Sequence, residues 1–211
     1  MQPNSINPEI PAKAKPLSHT SLPIYILSGG KSSRFGSDKA LASIHGRPLI
    51  VHTAEQLRPF SEDLCVIAQS DGQYQHQSLQ TIGDIYPALG PLGGLYTALK
   101  HAKEPGWFFL ISCDLAGFQV EWVKQLSQYC HSPNQAVAFF TERWEPLFAF
   151  YHTSCLPLVE RAIQDKRLAM WKLLERLETK ALPHPEDWSQ ATQINTPKAL
   201  EQHLQKTLPS L

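Results

Sequence analysis

The stretch ILSGGKSSRFGSDKAL, residues 26–41, places Gly29 and Gly30 directly behind a short apolar run and follows them with Lys31, Arg34 and Lys39. Adjacent glycines let backbone N–H groups approach a phosphate more closely than side chains would permit, and the three cations add charged donors. A plain flexible turn is the competing role. Two familiar glycine loops are excluded by spacing. GKS at 30–32 ends like a P-loop, but that motif needs glycine where Tyr25 stands, and glycines at 29, 30 and 36 do not make G-x-G-x-x-G. Further along, Asp114 follows the apolar run of LISCDLAGF. A carboxylate there suits a hard divalent cation, because magnesium typically uses one or two carboxylates plus substrate phosphates; capping the next helix is the competing role. The third feature is GDIYPALGPLGGL, residues 83–95, read as a permissive loop before a helix. Gly90, Pro91, Gly93 and Gly94 would let a flat ring lie against backbone, with Asp84 accepting hydrogen bonds from a base or ribose; an ordinary solvated loop is the alternative.

Such residues must be brought together by regular elements. IYIL (24–27), LCVIA (64–68), WFFLIS (107–112) and AVAFF (136–140) are short, continuously apolar runs of the kind covered on both faces. Between them, Ile50, Ala54 and Leu57, then Leu95, Ala98, Leu99 and Ala102, then Val120, Val123, Leu126 and Cys130 recur at helical period. Alternation of strand and helix predicts an α/β fold, a three-layer, doubly wound and mainly parallel sheet with right-handed crossovers. In the last third EPLFAFYH reads as a strand, and Leu156, Val159 and Ile163 share a helix face. Leu168, Trp171, Leu174 and Leu177 suggest another helix. TQIN then leads to Pro197 at a helix start, with Leu200, Leu204 and Leu208 along one side. Ligands of such sheets bind beyond the carboxyl ends of the strands, where all three features would meet.

Composition narrows the function classes. Lys+Arg and Asp+Glu are both 19 among 211 residues, so no basic field draws the chain to nucleic acid or an anionic membrane. Any anion must be held by a local site. Cys65, Cys113, Cys130 and Cys155 lie far apart without zinc-type spacing and read as buried free thiols in a reducing cytoplasm. The nine histidines are scattered and form no metal-ligand pair. No apolar run approaches a membrane span of about 20 residues. The proline-rich, polar residues 1–22 read as a flexible extension and 23–211 as one domain.

Taken together these residues resemble the nucleotidyltransferases that join a nucleotide to a phosphorylated acceptor, and most closely the molybdenum cofactor guanylyltransferases. That family's L-A-G-G-x-S-x-R-M-G-x-D-K signature is matched at Leu27, Gly29, Gly30, Ser32, Arg34, Gly36, Asp38 and Lys39, with Ser28 for alanine and Phe35 for methionine. A G-P-L-[AG]-G motif matches at 90–94, C-D at Cys113 and Asp114, and I-N-T-P at 194–197. One departure is Ala68-Gln69 where the family carries an asparagine after the second strand; that contact is left unassigned.

The resemblance implies transfer of GMP from GTP to the terminal phosphate of molybdopterin. Leu27, Ser28, Gly29, Gly30, Lys39, Asp84 and Asp114 would contact GTP, and Asp114 would also hold Mg2+. Arg34 and Lys39 would neutralise charge on the pyrophosphate side, making Arg34, Lys39 and Asp114 the catalytic set. Asn195, following a short predicted strand, is expected to help hold the acceptor. Molybdoenzyme apoproteins or cofactor-delivery proteins would be downstream partners. The nearest alternative is a cytidylyltransferase, or another nucleotidyltransferase for a phosphorylated small molecule; Asp38-Lys39 favours the guanylyl branch. From a different class, a non-catalytic cofactor chaperone is opposed by the intact Arg34, Lys39 and Asp114.

Overall fold

The computed structural model describes residues 22–28, 35 and 38–207. In chain order these form β1 (Ile24–Leu27), a small hairpin of β2 (Ser43–Ile44) and β3 (Arg47–Pro48), α1 (Leu49–Leu57), β4 (Leu64–Ala68), β5 (Thr81–Gly83) and α2 (Pro91–His101). There follow β6 (Trp107–Ser112), β7 (Leu115–Ala116), α3 (Val120–Ser127), β8 (Ala136–Phe140) and β9 (Trp144–His152). The chain closes with α4 (Leu156–Gln164), α5 (Met170–Leu174), β10 (Thr179–Leu182), β11 (Thr192–Gln193) and α6 (Pro197–Thr207).

Each position of β1 is buried, as a strand apolar on both faces must be. It lies inside a seven-stranded sheet of order β10-β8-β9-β6-β1-β4-β5. β1 pairs in parallel with β4 and β6, and β4 with β5. Only β9 runs against its neighbours, which makes β8 and β10 parallel to β6. Alternate strand residues face two separate cores. On one side Ile24, Ile26, Val66, Phe109, Ile111 and Val137 meet α1 and α3; on the other Tyr25, Leu27, Ile67, Phe108, Leu110 and Ala138 meet α2, α4 and α5. The three-layer, mainly parallel arrangement expected from the sequence is thus observed. Burying each such side chain contributes about 1.5–3 kcal/mol, so the sheet that carries the site is its most strongly held part.

Several local readings change. The glycines at 90–94 do not form a loop: Pro91 is the first residue of α2, and Gly90 ahead of it adopts φ 61° and ψ −146°, a region essentially reserved for glycine. A Cβ on Gly93 would overlap the Tyr86 carbonyl oxygen, and one on Gly94 would stand 2.6 Å from Leu27 Cδ2. These glycines let α2 seat on β1 and on the turn after β5, so their open faces are already occupied. The helix expected from Leu168 to Leu177 shrinks to α5, because Trp171 is 48 % exposed rather than on the packed face. β5, β7 and β10 were not anticipated. Leu22, assigned to the extension by composition, is buried in the core; residues 1–21 lie outside the described residues, as does Leu208. Gly93→Ala should lower the urea unfolding midpoint, because overpacking against backbone costs about 1–3 kcal/mol and outweighs the roughly 1 kcal/mol gained in helix propensity.

Candidate active site

Register decides which side chains meet. Leu27 stands opposite Ile67 and Ser112, and Ala68 opposite Gly83, so β1, β4, β5 and β6 end at one edge of the sheet. Ser28, Asp84 and Asp114 each follow one of those ends. Gly29, Gly30, Lys31 and Arg34 lie outside the described residues.

The central contact is Lys39 Nζ to Asp114 Oδ2 at 2.5 Å, between side chains that are 20 % and 17 % exposed. Ser112 Oγ, from the last residue of β6, donates to Asp114 Oδ1 at 2.5 Å. Lys39 Nζ also lies 3.4 Å from Asn195 Oδ1. Asn195 is brought there by β11, which pairs with β7, and by the Ile194 N–H, which donates to the Asp114 carbonyl at 2.7 Å. Three residues selected from the sequence, 75 and 156 positions apart, therefore form one cluster. Among the described residues no group of three His, Cys, Asp or Glu could hold a metal unaided. One carboxylate with a neighbouring hydroxyl suits an ion that takes its remaining ligands from substrate phosphate and water.

Asp84 lies at the far end of the edge. Its Oδ1 accepts from the Tyr86 N–H at 2.9 Å and from Thr97 Oγ1 at 2.8 Å, which fixes the turn between β5 and α2. Thr97 has one hydroxyl proton and also lies 3.0 Å from the Gly93 carbonyl, so it satisfies only one of the two acceptors at a time. Asp84 Oδ2 makes no hydrogen bond among the described residues. Leu27 is nearly buried, its side chain against Gly94 and its carbonyl accepting from the Cys113 N–H at 3.0 Å. Cys113 itself is fully buried, and burial with the nearby Asp114 charge pushes its thiol up to about 12, so it stays protonated and inert.

Sequence reasoning missed the clasp that joins Ser28 to Asp38. Asp38 caps the 3-10 turn Lys39–Leu41, its Oδ1 accepting from the Ala40 N–H at 3.0 Å. Its Oδ2 accepts from Tyr74 Oη at 2.8 Å and Gln73 Nε2 at 3.0 Å. Burial holds the Tyr74 phenol well above its ordinary pKa, so it is a neutral donor. With that proton given to Asp38, the phenol oxygen is left to accept from Ser28 Oγ at 2.6 Å. Residues 28 and 38, the two ends of the stretch that holds the glycines and Arg34, are thereby tied to one buried hydroxyl. The available signals were a lone aromatic in the polar run SDGQYQHQS and an acid directly before Lys39.

Residues 24–181 match the family model for the MobA-like NTP transferase domain. The chain belongs to this family. As a MobA-like transferase it is a nucleotidyltransferase, and the matched span takes in Lys39, Asp84 and Asp114 but stops short of Asn195. It is 32 % identical over 158 residues to a protein of Flavobacterium johnsoniae named "Probable molybdenum cofactor guanylyltransferase", covering 74 % of this chain and 82 % of the relative. It is 29 % identical over 184 residues to the molybdenum cofactor guanylyltransferase of Pseudomonas putida, covering 84 % and 95 %. The crystal structure of molybdopterin-guanine dinucleotide biosynthesis protein A from Archaeoglobus fulgidus shares the fold, with a TM-score of 0.75 at 23 % identity over 88 % of this chain and 98 % of that one.

For this MobA-like transferase the clasp generates a test. Tyr74→Phe should reduce stability by about 1–3 kcal/mol, the loss of a buried hydrogen bond to a charged acceptor. It should also weaken nucleotide binding several-fold in calorimetric titration, because the glycine stretch loses its fixed neck. Unchanged nucleotide affinity would show that the clasp serves stability alone.

Proposed function

We propose that the chain transfers GMP from GTP to the terminal phosphate of molybdopterin, producing molybdopterin guanine dinucleotide and pyrophosphate. The observation that carries this reading is the Lys39–Asp114 contact at the edge where β1 and β6 end together. It stands in a chain whose relatives are named molybdenum cofactor guanylyltransferases. The four parallel ends run in the order β5, β4, β1, β6 at about 4.8 Å per strand. A nucleotide laid along that edge has its base or ribose near Asp84 Oδ2 and its phosphates near Ser28, Lys39 and Asp114, with Gly29 and Gly30 amides orienting them. The acceptor then approaches from Asn195.

In this reading an oxygen of the acceptor phosphate bonds to the α-phosphorus of GTP while the bond to the bridging oxygen breaks, and pyrophosphate leaves with the electron pair. The attacking oxygen is already anionic, so no side chain has to remove a proton. Positioning and charge neutralisation carry the catalysis. Lys39 pairs with Asp114; an arriving triphosphate gives Lys39, with Arg34, an anionic partner on the pyrophosphate side. Asp114 is then the residue that would hold Mg2+, which when bound supplies charge neutralisation at the phosphate oxygens. The domain is taken as residues 23–211, a reading supported by α6, whose Leu200 and Leu204 pack with Ile44, Leu49, Ala116 and Ile194. A cytoplasmic location is supported by four buried free thiols. No helix among the described residues is long and apolar enough to cross a membrane.

Lys39→Ala and Asp114→Ala should each lower turnover by orders of magnitude, read as pyrophosphate released from GTP with molybdopterin and Mg2+, while circular dichroism stays native. Near-normal turnover in either would remove that residue from the mechanism. In a thermal-shift series with Mg2+, GTP should stabilise the protein more than ATP, CTP or UTP; stabilisation by CTP alone would overturn the guanylyl assignment.

A further inference from the structure

A second polar cluster stands on the same edge of the sheet, in the half beyond β6. Because β9 runs against β6 and β8, its first residues lie beside the carboxyl ends of β6, β8 and β10. Glu145, the second residue of β9, is only 9 % exposed. Arg143 Nε lies 3.3 Å and His184 Nε2 3.7 Å from the same oxygen, Oε1. Oε2 makes no hydrogen bond among the described residues. His184 Nε2 is itself buried without a hydrogen-bond partner. Oε1 is engaged, while Oε2 is not among the buried atoms and stays open to a donor arriving from outside the protein.

Flat rings stand beside the carboxylate. His184 stacks on Trp188 with centroids 4.8 Å apart and planes 6° apart, and Phe139 meets both rings edge-on. Such surroundings, with a carboxylate whose Oε1 is held by Arg143 and whose Oε2 is open, suit a planar heterocycle that offers N–H donors. The segment from His184 through Trp188 continues into β11 and reaches Asn195 beside Lys39. One stretch of chain therefore links this cluster to the Lys39 and Asp114 pair.

The geometry points to a subsite in which Glu145, flanked by His184 and Trp188, recognises the 2-amino-4-oxopyrimidine edge of the acceptor's pterin through its ring N–H and exocyclic amine. This rests on the acceptor being molybdopterin, as proposed above. Guanine carries the same donor pair. Position separates the two, since Asp84 follows β5 at one end of the sheet while Glu145 lies beyond β6, toward β8 and β10. Nothing in the transfer step itself requires Glu145, so its loss should act on acceptor binding and not on the chemistry.

The test is Glu145→Gln, with Glu145→Ala as a second variant should the first fail to fold. Steady-state pyrophosphate release should show the KM for molybdopterin raised about ten-fold or more, the size expected when a charged acceptor is lost, with kcat and the GTP-induced thermal shift unchanged. Quenching of tryptophan fluorescence by free pterin and by lumazine, which has an oxo group in place of the amine, should favour pterin in the wild type and lose that preference in the variant. An unaltered KM with an unaltered pterin preference overturns the subsite. Weakened GTP binding in the variant makes guanine the occupant and also overturns it. A wild type that releases no pyrophosphate in response to molybdopterin refutes the guanylyl reading first, and the subsite with it.

Discussion

Parallel pairing of β1 with β6 brings Leu27 level with Ser112, so the chain leaves two adjacent strands at the same height, about 4.8 Å apart. The chain after β1 leads to Lys39 and the chain after β6 to Asp114, and their contact depends on that register. A slip of one residue would turn both strands' apolar faces over and separate the exits. The two cores above and below the sheet, each fed by alternate strand residues, make such a slip prohibitive. What positions the charged cluster is thus apolar burial elsewhere.

On this rigid edge the polar contacts follow a graded order. Asp38, Tyr74 and Ser28 form a part-buried network, centred on a phenol whose burial raises its pKa and keeps it neutral. Lys39 and Asp114 are partly exposed, and solvent screening makes their mutual attraction modest and readily exchanged for ligand. A fixed neck beneath an exchangeable pair fits a site that admits an anionic substrate without unfolding its support.

Legibility followed the range of the interaction. IYIL, LCVIA, WFFLIS and AVAFF were readable because a fully covered strand has to be apolar at consecutive positions. β5, at the sheet edge and only half-buried, carries no such run and was missed. Gly90–Gly94 was misread because glycine spacing cannot distinguish an open loop from a helix whose neighbours crowd it; the Tyr86 carbonyl and the Leu27 side chain make that distinction. Trp171 matched a helical period, yet its side chain is half-exposed, with Lys172 Nζ 5.1 Å from the ring centroid, and does not pack into the core.

The sequence by itself determined the alternating α/β class, the two-sided burial of the central strands and the residue types able to handle phosphate and a hard cation. These depend on composition and on periods of two and 3.6 residues, which are local properties of a chain. Only the tertiary structure decided that Lys39 meets both Asp114 and Asn195, that Tyr74 closes the neck between Ser28 and Asp38, and that Glu145 and His184 share the edge. Those meetings follow from strand order and register. Both are settled by the packing of whole faces, so no spacing along the chain records them.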